Sequence, residues 1–310
     1  FLFSALKSFS DGLQKTSVAM YITIAALIFN IIFNHIFING LGPIPAMGLF
    51  GAGIATLMAR ILMAIALAIY LFKIADFSKY LQKKHVHAQA NILEKTILKI
   101  GIPSGMQGFF EIATFGMAVV MMGWISVTAQ AAHIVAINMA SLTYMMATGI
   151  AAAGGILVGA DIGERNRPGI FTSGYAALVL SILFMGFCAV VFYFGRDILV
   201  RGYTQEASVI AIAVTLVVWG AIFQLFDGIQ AVSLGLLRGL QDVNIPTGIT
   251  IFSYWGIGIP LSYYIGIYQG VGATGIWMGL TASLVCSSVL LSWRFYARAK
   301  TINFEELEVD

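Results

Sequence analysis

The chain has 310 residues, 59% of them hydrophobic and only 10% charged, with a formal net charge of +3. A mean hydropathy of +0.91 excludes a soluble globular domain. The basic residues follow the ends of apolar runs, which argues against a nucleic-acid partner, and the ~10-residue alternating segments of a membrane β-barrel do not occur.

In chain order, a short apolar piece at 1–6 precedes eight runs long enough to cross ~30 Å of hydrocarbon as helices. They lie at 18–38, 47–75, 97–127, 131–160, 170–195, 207–237, 245–267 and 271–293. These runs predict an all-α polytopic membrane protein. A polar linker, 76–94, separates the second run from the third, and an acidic tail, 300–310 with Glu305, Glu306, Glu308 and Asp310, reads as a solvated end. Taking alternate loops as cytoplasmic collects Lys7, Lys73, Lys83, Lys95, Lys99, Arg165, Arg238, Arg294 and Arg298 on one side, with Arg196 and Arg201 on the other. The asymmetry predicts that 76–95 and the carboxy terminus are cytoplasmic and that 39–46 faces outward. Cys188 and Cys286 lie inside apolar runs and read as packing residues. His85 and His87 have no clustered acid or cysteine beside them, so a solvated loop is favoured over a metal pair.

The chain repeats itself. Leu6-Lys7-Ser8-Phe9-Ser10-Asp11, an apolar run and then Gly48-Leu49-Phe50-Gly51 parallel Leu237-Arg238-Gly239-Leu240-Gln241-Asp242, a run and Gly272-Ala273-Thr274-Gly275. This self-similarity predicts duplicated architecture, with a second unit beginning near Asn91 and roughly 140 residues preceding Phe1 in a complete protein. The second unit holds six runs. An even number makes the two units parallel repeats about an axis along the membrane normal. Residues 1–310 alone are then expected not to transport, because most of the first repeat would be missing.

Two acids stand deep inside apolar runs, where a carboxylate costs roughly 2.5–3.5 kcal/mol on insertion scales. Glu111 lies ~20 Å along a helix from the basic end at Lys95 and Lys99, and Asp227 lies ~16 Å from Arg238. If both basic ends are cytoplasmic, the acids share one depth near the bilayer midplane, where ion-coupled transporters hold their ions. Gln107 and Thr114 share the helix face of Glu111, and Gln224 and Gln230 flank Asp227. Asn138, Ser141 and Thr148 form a weaker stripe that could add oxygen ligands. The competing role for all these groups is interhelical hydrogen bonding, with the acids protonated and silent.

Arg60, within the second run, can supply a pathway charge, pair with an acid in the missing helices or snorkel along a helix interface; pairing is favoured. Gly155, Gly159 and Gly163 recur every four residues and allow close helix approach. Pro103 and Pro260 lie inside runs and can free carbonyls or permit bending. The thirteen methionines suit either core packing or an adaptable cavity.

The chain resembles the multidrug and toxic compound extrusion family, and in particular its bacterial NorM-like branch. The resemblance rests on Lys99-Ile100-Gly101-Ile102-Pro103 followed by Phe109-Phe110-Glu111, on Ala131-Ala132-His133 with Asn138, on Val158-Gly159-Ala160-Asp161-Ile162-Gly163, and on Gln224-Leu225-Phe226-Asp227-Gly228-Ile229-Gln230 leading to Leu237-Arg238-Gly239. It implies two six-helix lobes. Residues 1–75 would end the first lobe, 76–94 would be a cytoplasmic inter-lobe linker, 95–299 would form the second lobe and 300–310 a cytoplasmic tail. It also implies export of bulky, cationic or amphipathic organic compounds in exchange for Na+ or H+, from the bacterial inner membrane, with no other cofactor; the complete protein is expected to be monomeric. Glu111 and Asp227 match the family's two second-lobe membrane acids. Some relatives carry a tyrosine one turn before the second acid, where this chain has Phe223, so the coupling ion stays open. A lipid-linked oligosaccharide flippase is the alternative, but it calls for several cations facing an anionic pyrophosphate. An intramembrane enzyme lacks its chemistry here: no aspartate-rich metal motif occurs, and His133 has no nucleophile partner.

Overall fold

The computed structural model describes residues 2–12, 16–41, 45–73, 86–302 and 304, without the side chains of 86–93 and 96. Gly42, residues 76–85 with Lys83 and His85, the His87 side chain and the four tail acids therefore lie outside the described residues. Every element among the described residues is a helix, and seven helices are long and apolar enough to cross a membrane. The contacts divide into two compact units, 1–92 and 93–310.

The first unit contains α1 (Leu2–Gly12), α2 (Thr16–Asn39) and α3 (Gly48–Lys73). Arg60 is exposed midway along α3 and lines a cavity of about 190 Å3 with Thr23, Asn30 and Thr56. It makes no ion pair among the described residues.

The second unit contains α4 (Val86–Ile125), α5 (Val127–Gly163), α6 (Arg167–Tyr203) and α7 (Ala207–Gly239), then α8 (244–268) and α9 (Ala273–Thr301). Helix α4 begins at Val86, inside the segment expected to be a linker. The stretch 86–97 contains no proline or glycine and only two charged residues, Glu94 and Lys95, so nothing in it breaks a helix. Local signals fix the later boundaries. Ser126 Oγ accepts the Ala129 N–H at 3.0 Å to cap α5, and Asn166 Oδ1 accepts the Gly169 N–H at 3.1 Å to cap α6, with Pro168 in the first turn.

Helix α8 is one continuous helix of changing pitch: α-helical at Asn244–Ile251 and Ile259–Tyr263, π-helical at Phe252–Gly258 and Tyr264–Tyr268. Pro260 supplies the reason for the first π winding. It has no N–H and its ring crowds the carbonyl four residues back, and the wider turn absorbs the mismatch: the Ile259 N–H bonds to the Tyr254 carbonyl, five residues back. The span predicted at 245–267 is thus helical but not uniformly α.

The repeat in the sequence reappears in backbone geometry. Gly40 and Gly48 take positive φ between α2 and α3, as Gly270 and Gly272 do between α8 and α9, a conformation open to glycine at no steric cost. After the turn, Met47 N–H donates to the Phe37 carbonyl at 2.9 Å and Gly272 N–H to the Gly266 carbonyl at 3.0 Å. The copies differ in the π windings of α8, which α2 lacks, and in an ion pair. Lys7 pairs with Asp11 at 2.7 Å, whereas Asp242 takes Arg294 from α9, Nε to Oδ2 at 2.7 Å.

Helix α7 is the axis of the second unit. It packs against α5, α6 and α9 and is buried along most of its length. At its middle Phe223 joins Tyr254, Trp277, Met121 and Met122 in the larger core; toward its carboxy-terminal end Leu236 and Leu237 pack with Val158, Ile170 and Leu291. Of the predicted glycine stripe, Gly155 makes the close approach: a Cβ there would lie 2.6 Å from the Gly235 carbonyl oxygen. Gly163 has open space. The sequence reading misses the other half of the contact, Gly235 and Gly239 on α7.

Breaking the Asp242–Arg294 pair should cost about 2 kcal/mol, between the exposed and buried limits, since Asp242 is the more buried partner and Arg294 keeps some solvent. Asp242→Asn is expected to lower the thermal midpoint of purified protein by a few degrees. An unchanged midpoint would show that the pair is decorative.

Candidate functional site

Helical periodicity brings the two acids to one wall. Gly108, Glu111, Ile112 and Phe115 follow the i, i+3, i+4, i+7 spacing of one α4 face. On α7, Phe223 and Asp227 are one turn apart and Arg238 lies three turns further, on the same face. All seven line a cavity of about 490 Å3 within the second unit, closed on the α5 side by Tyr144 and Met145 among others.

Asp227 is 5% exposed and has no hydrogen-bond partner among the described residues. Glu111 is half-buried and accepts a hydrogen bond from the Tyr144 hydroxyl at 3.3 Å. Arg238 Nη2 donates to Gln107 Oε1 at 3.4 Å. The site therefore holds two carboxylates, a phenol and a guanidinium within an otherwise largely apolar and aromatic wall. Such a wall suits an amphipathic cation, with carboxylates for its charge and rings for its body.

The expected supporting residues are placed less uniformly. Phe223 lines the cavity, edge-on to Phe115 at 6.1 Å and packed on Trp277 at 5.3 Å. Gln107 is buried beneath Glu111, with its oxygen turned to Arg238. The Thr114 hydroxyl donates to the Phe110 carbonyl of its own helix at 2.8 Å, and that carbonyl also accepts Trp255 Nε1 from α8 at 3.1 Å. Gln224 Oε1 accepts from Thr143 at 2.9 Å, and its Nε2 is buried without a partner among the described residues. Gln230 Nε2 donates to the Tyr254 hydroxyl at 3.0 Å. Asn138 is exposed and lies outside the cavity lining. Gln107, Gln224 and Gln230 thus tie the acid-bearing helices to each other and to their neighbours, while the cavity itself keeps the acids, Phe223, Ser141, Tyr144 and Arg238.

Tyr144 and Arg238 are the residues that sequence reasoning misses. A signal exists for each: Tyr144 sits three residues after Ser141 and four before Thr148, on their stripe, and Arg238 is three full turns from Asp227. Two further features have structural explanations. His133 is buried and accepts Trp277 Nε1 at Nδ1, 3.1 Å away, which makes it part of the core. Met145 lines the cavity, whereas Met121, Met122, Met139 and Met185 are buried in the core.

A profile of the MatE family matches residues 103–264. The chain is 33% identical over 298 residues to the probable multidrug resistance protein NorM of Mesorhizobium japonicum, an alignment covering 94% of this chain and 64% of that protein. It is 32% identical over 317 residues to the multidrug resistance protein NorM of Aliivibrio fischeri, covering 100% of this chain and 68% of that one. The chain thus spans just under two thirds of the Mesorhizobium relative. Among solved structures, the eukaryotic MATE transporter AtDTX14 superposes with a TM-score of 0.86 at 19% identity, over 98% of this chain and 66% of that one. An outward-facing multidrug resistance MATE family transporter of the MOP superfamily gives 0.81 at 18%, over 98% and 66%.

Proposed function

The chain belongs to the MatE family, and on that premise we propose that it works as a transporter and not an enzyme: a cation-coupled antiporter exporting drugs and other organic, cationic or amphipathic compounds in exchange for Na+ or H+. One observation carries the reading: Glu111 and Asp227 line the same cavity, and Asp227 is buried there without a hydrogen-bond partner among the described residues. Two ionised carboxylates out of water repel, and a monovalent cation or a proton relieves the repulsion. An organic cation in the same cavity competes for the same charge. Competition of this kind is what antiport requires, because each ligand is released when the other binds. Phe223 offers no oxygen to the coupling ion, and the Tyr144 hydroxyl is the phenol available to it. The flippase alternative finds one cation in this cavity, Arg238, set among two acids.

The test is dye efflux from vesicles holding the protein at its native length, with Na+ and H+ gradients imposed separately. Efflux should follow one of the gradients and stop when that gradient is removed. Equal efflux with neither gradient would overturn the coupling.

The same reading takes the first unit as the end of one six-helix lobe and the second unit as the other lobe, in a monomeric multi-pass protein of the bacterial inner membrane with its carboxy terminus in the cytoplasm. Single cysteines at Lys83 and Gly42, in a background lacking Cys188 and Cys286, should label from the cytoplasmic and outer sides respectively. Labelling of both from one side contradicts this orientation.

A further inference from the structure

We propose that Arg238 is a resident cation of the coupling site and limits the cavity to one added positive charge, so that a single monovalent cation is exchanged for a singly charged organic compound. The proposal rests on the reading of Glu111 and Asp227 as the coupling acids. Arg238 has an ordinary explanation as a basic residue in the last turn of a helix, complementing its dipole and marking the cytoplasmic end. Its geometry goes further. The guanidinium lines the same cavity as both acids, and its Nη2 is bonded to Gln107 Oε1 at 3.4 Å. Gln107 is 3% exposed and lies one turn, about 6 Å, before Glu111 on α4. The side chain is therefore drawn inward, to the foot of the acid.

The charge count follows from the lining. The titratable groups facing the cavity are Glu111, Asp227, Tyr144 and Arg238. With a neutral phenol, a guanidinium that stays charged and both carboxylates ionised, the sum is one negative charge. One Na+, one proton or one monocationic substrate brings it to zero. A dication overshoots, and so does a monocation bound together with the coupling ion; at an effective dielectric of ~20, one surplus charge about 8 Å away weakens binding by more than tenfold. Without Arg238 the count is two negative charges, and a dication becomes the matched ligand.

Ethidium and propidium test this, because they share a ring system and differ by one added cationic arm. In vesicles containing the protein at its native length, wild type should export ethidium at least about tenfold faster than propidium. Arg238→Gln should raise the propidium-to-ethidium rate ratio by a similar factor, and Arg238→Lys should restore the wild-type ratio. A purely structural role would slow both dyes together and leave the ratio fixed, which overturns the proposal. Wild type that exports both dyes equally also overturns it, a result that needs no variant to fold. Asp227→Asn, run in parallel, separates the two ideas: if it retains coupled efflux, the coupling-site reading fails. If it loses efflux while Arg238→Gln leaves the ratio unchanged, that reading stands and the role of Arg238 falls.

Discussion

Asp227→Asn is expected to abolish ion-driven efflux while the protein still accumulates in the membrane and melts at or above the wild-type temperature. The two halves of that expectation come from one feature. Asp227 is 5% exposed, lines the cavity and has no hydrogen-bond partner among the described residues, so ionising it carries a cost the fold does not recover locally. Asparagine has the same shape and a smaller desolvation cost, and removing a functional charge of this kind commonly trades activity for stability. Glu111→Gln should also lose coupling, but with little change in melting, because a glutamine oxygen can keep the Tyr144 hydrogen bond at 3.3 Å. A structural carboxylate would behave in the opposite way, with the amide variants destabilised and transport preserved in the protein that remains. If both variants keep normal gradient-dependent efflux between about pH 6 and 8, the acids are structural and the coupling mechanism fails.

The sequence makes some of this arrangement visible and hides the rest for physical reasons. Apolar length reports the spans directly, because hydrocarbon imposes one requirement on every helix that crosses it. The shared depth of Glu111 and Asp227 follows from counting residues to the nearest basic end, and the structure places the two acids on one cavity. Side-chain partnership is harder to see. Tyr144 meets Glu111 across helices 33 positions apart in sequence, and nothing in either segment names the other. Arg238 looks like a span end because charge at a helix terminus is the usual pattern, and that pattern masks the three-turn spacing that puts it on the Asp227 face. Likewise, Gln107, Gln224 and Gln230 have the right spacing to support the acids, yet their hydrogen bonds run to Arg238, Thr143 and Tyr254. Periodicity fixes a face, not the atom that waits opposite. The π windings of α8 are hidden for a related reason: Pro260 announces a disturbed helix, but whether it kinks or widens depends on packing around it.

Gly235→Leu is expected to cause the largest loss of folded protein of any single substitution in α7. Membrane helices gain little from hiding apolar surface, since lipid is as apolar as leucine, and they associate through close packing of small residues instead. At Gly235 the backbones of α5 and α7 touch: a Cβ there would meet the Ala151 carbonyl, and the reciprocal Cβ on Gly239 would lie 2.5 Å from the Gly155 carbonyl oxygen. Backbone cannot rotate aside as a flexible side chain can. Even Gly235→Ala must push the helices apart, at about 1–3 kcal/mol by analogy with overpacked cores, and leucine adds volume where none exists. Gly248→Ala is the matched control, because a Cβ there meets nothing within 4 Å, and alanine improves helix propensity by up to about 1 kcal/mol. The defect should reach the site as well as the fold. Helix α5 carries Tyr144, and α7 carries Asp227 and Arg238, so a wedge between them moves the phenol away from the charges it serves. Purified Gly235→Ala should melt several degrees below wild type and export dye more slowly per folded molecule, while Gly248→Ala matches or exceeds wild type in melting. If the two alanine variants melt alike, the glycine contact does not hold α5 to α7, and the cavity must owe its shape to the aromatic core around Trp277 and Tyr254.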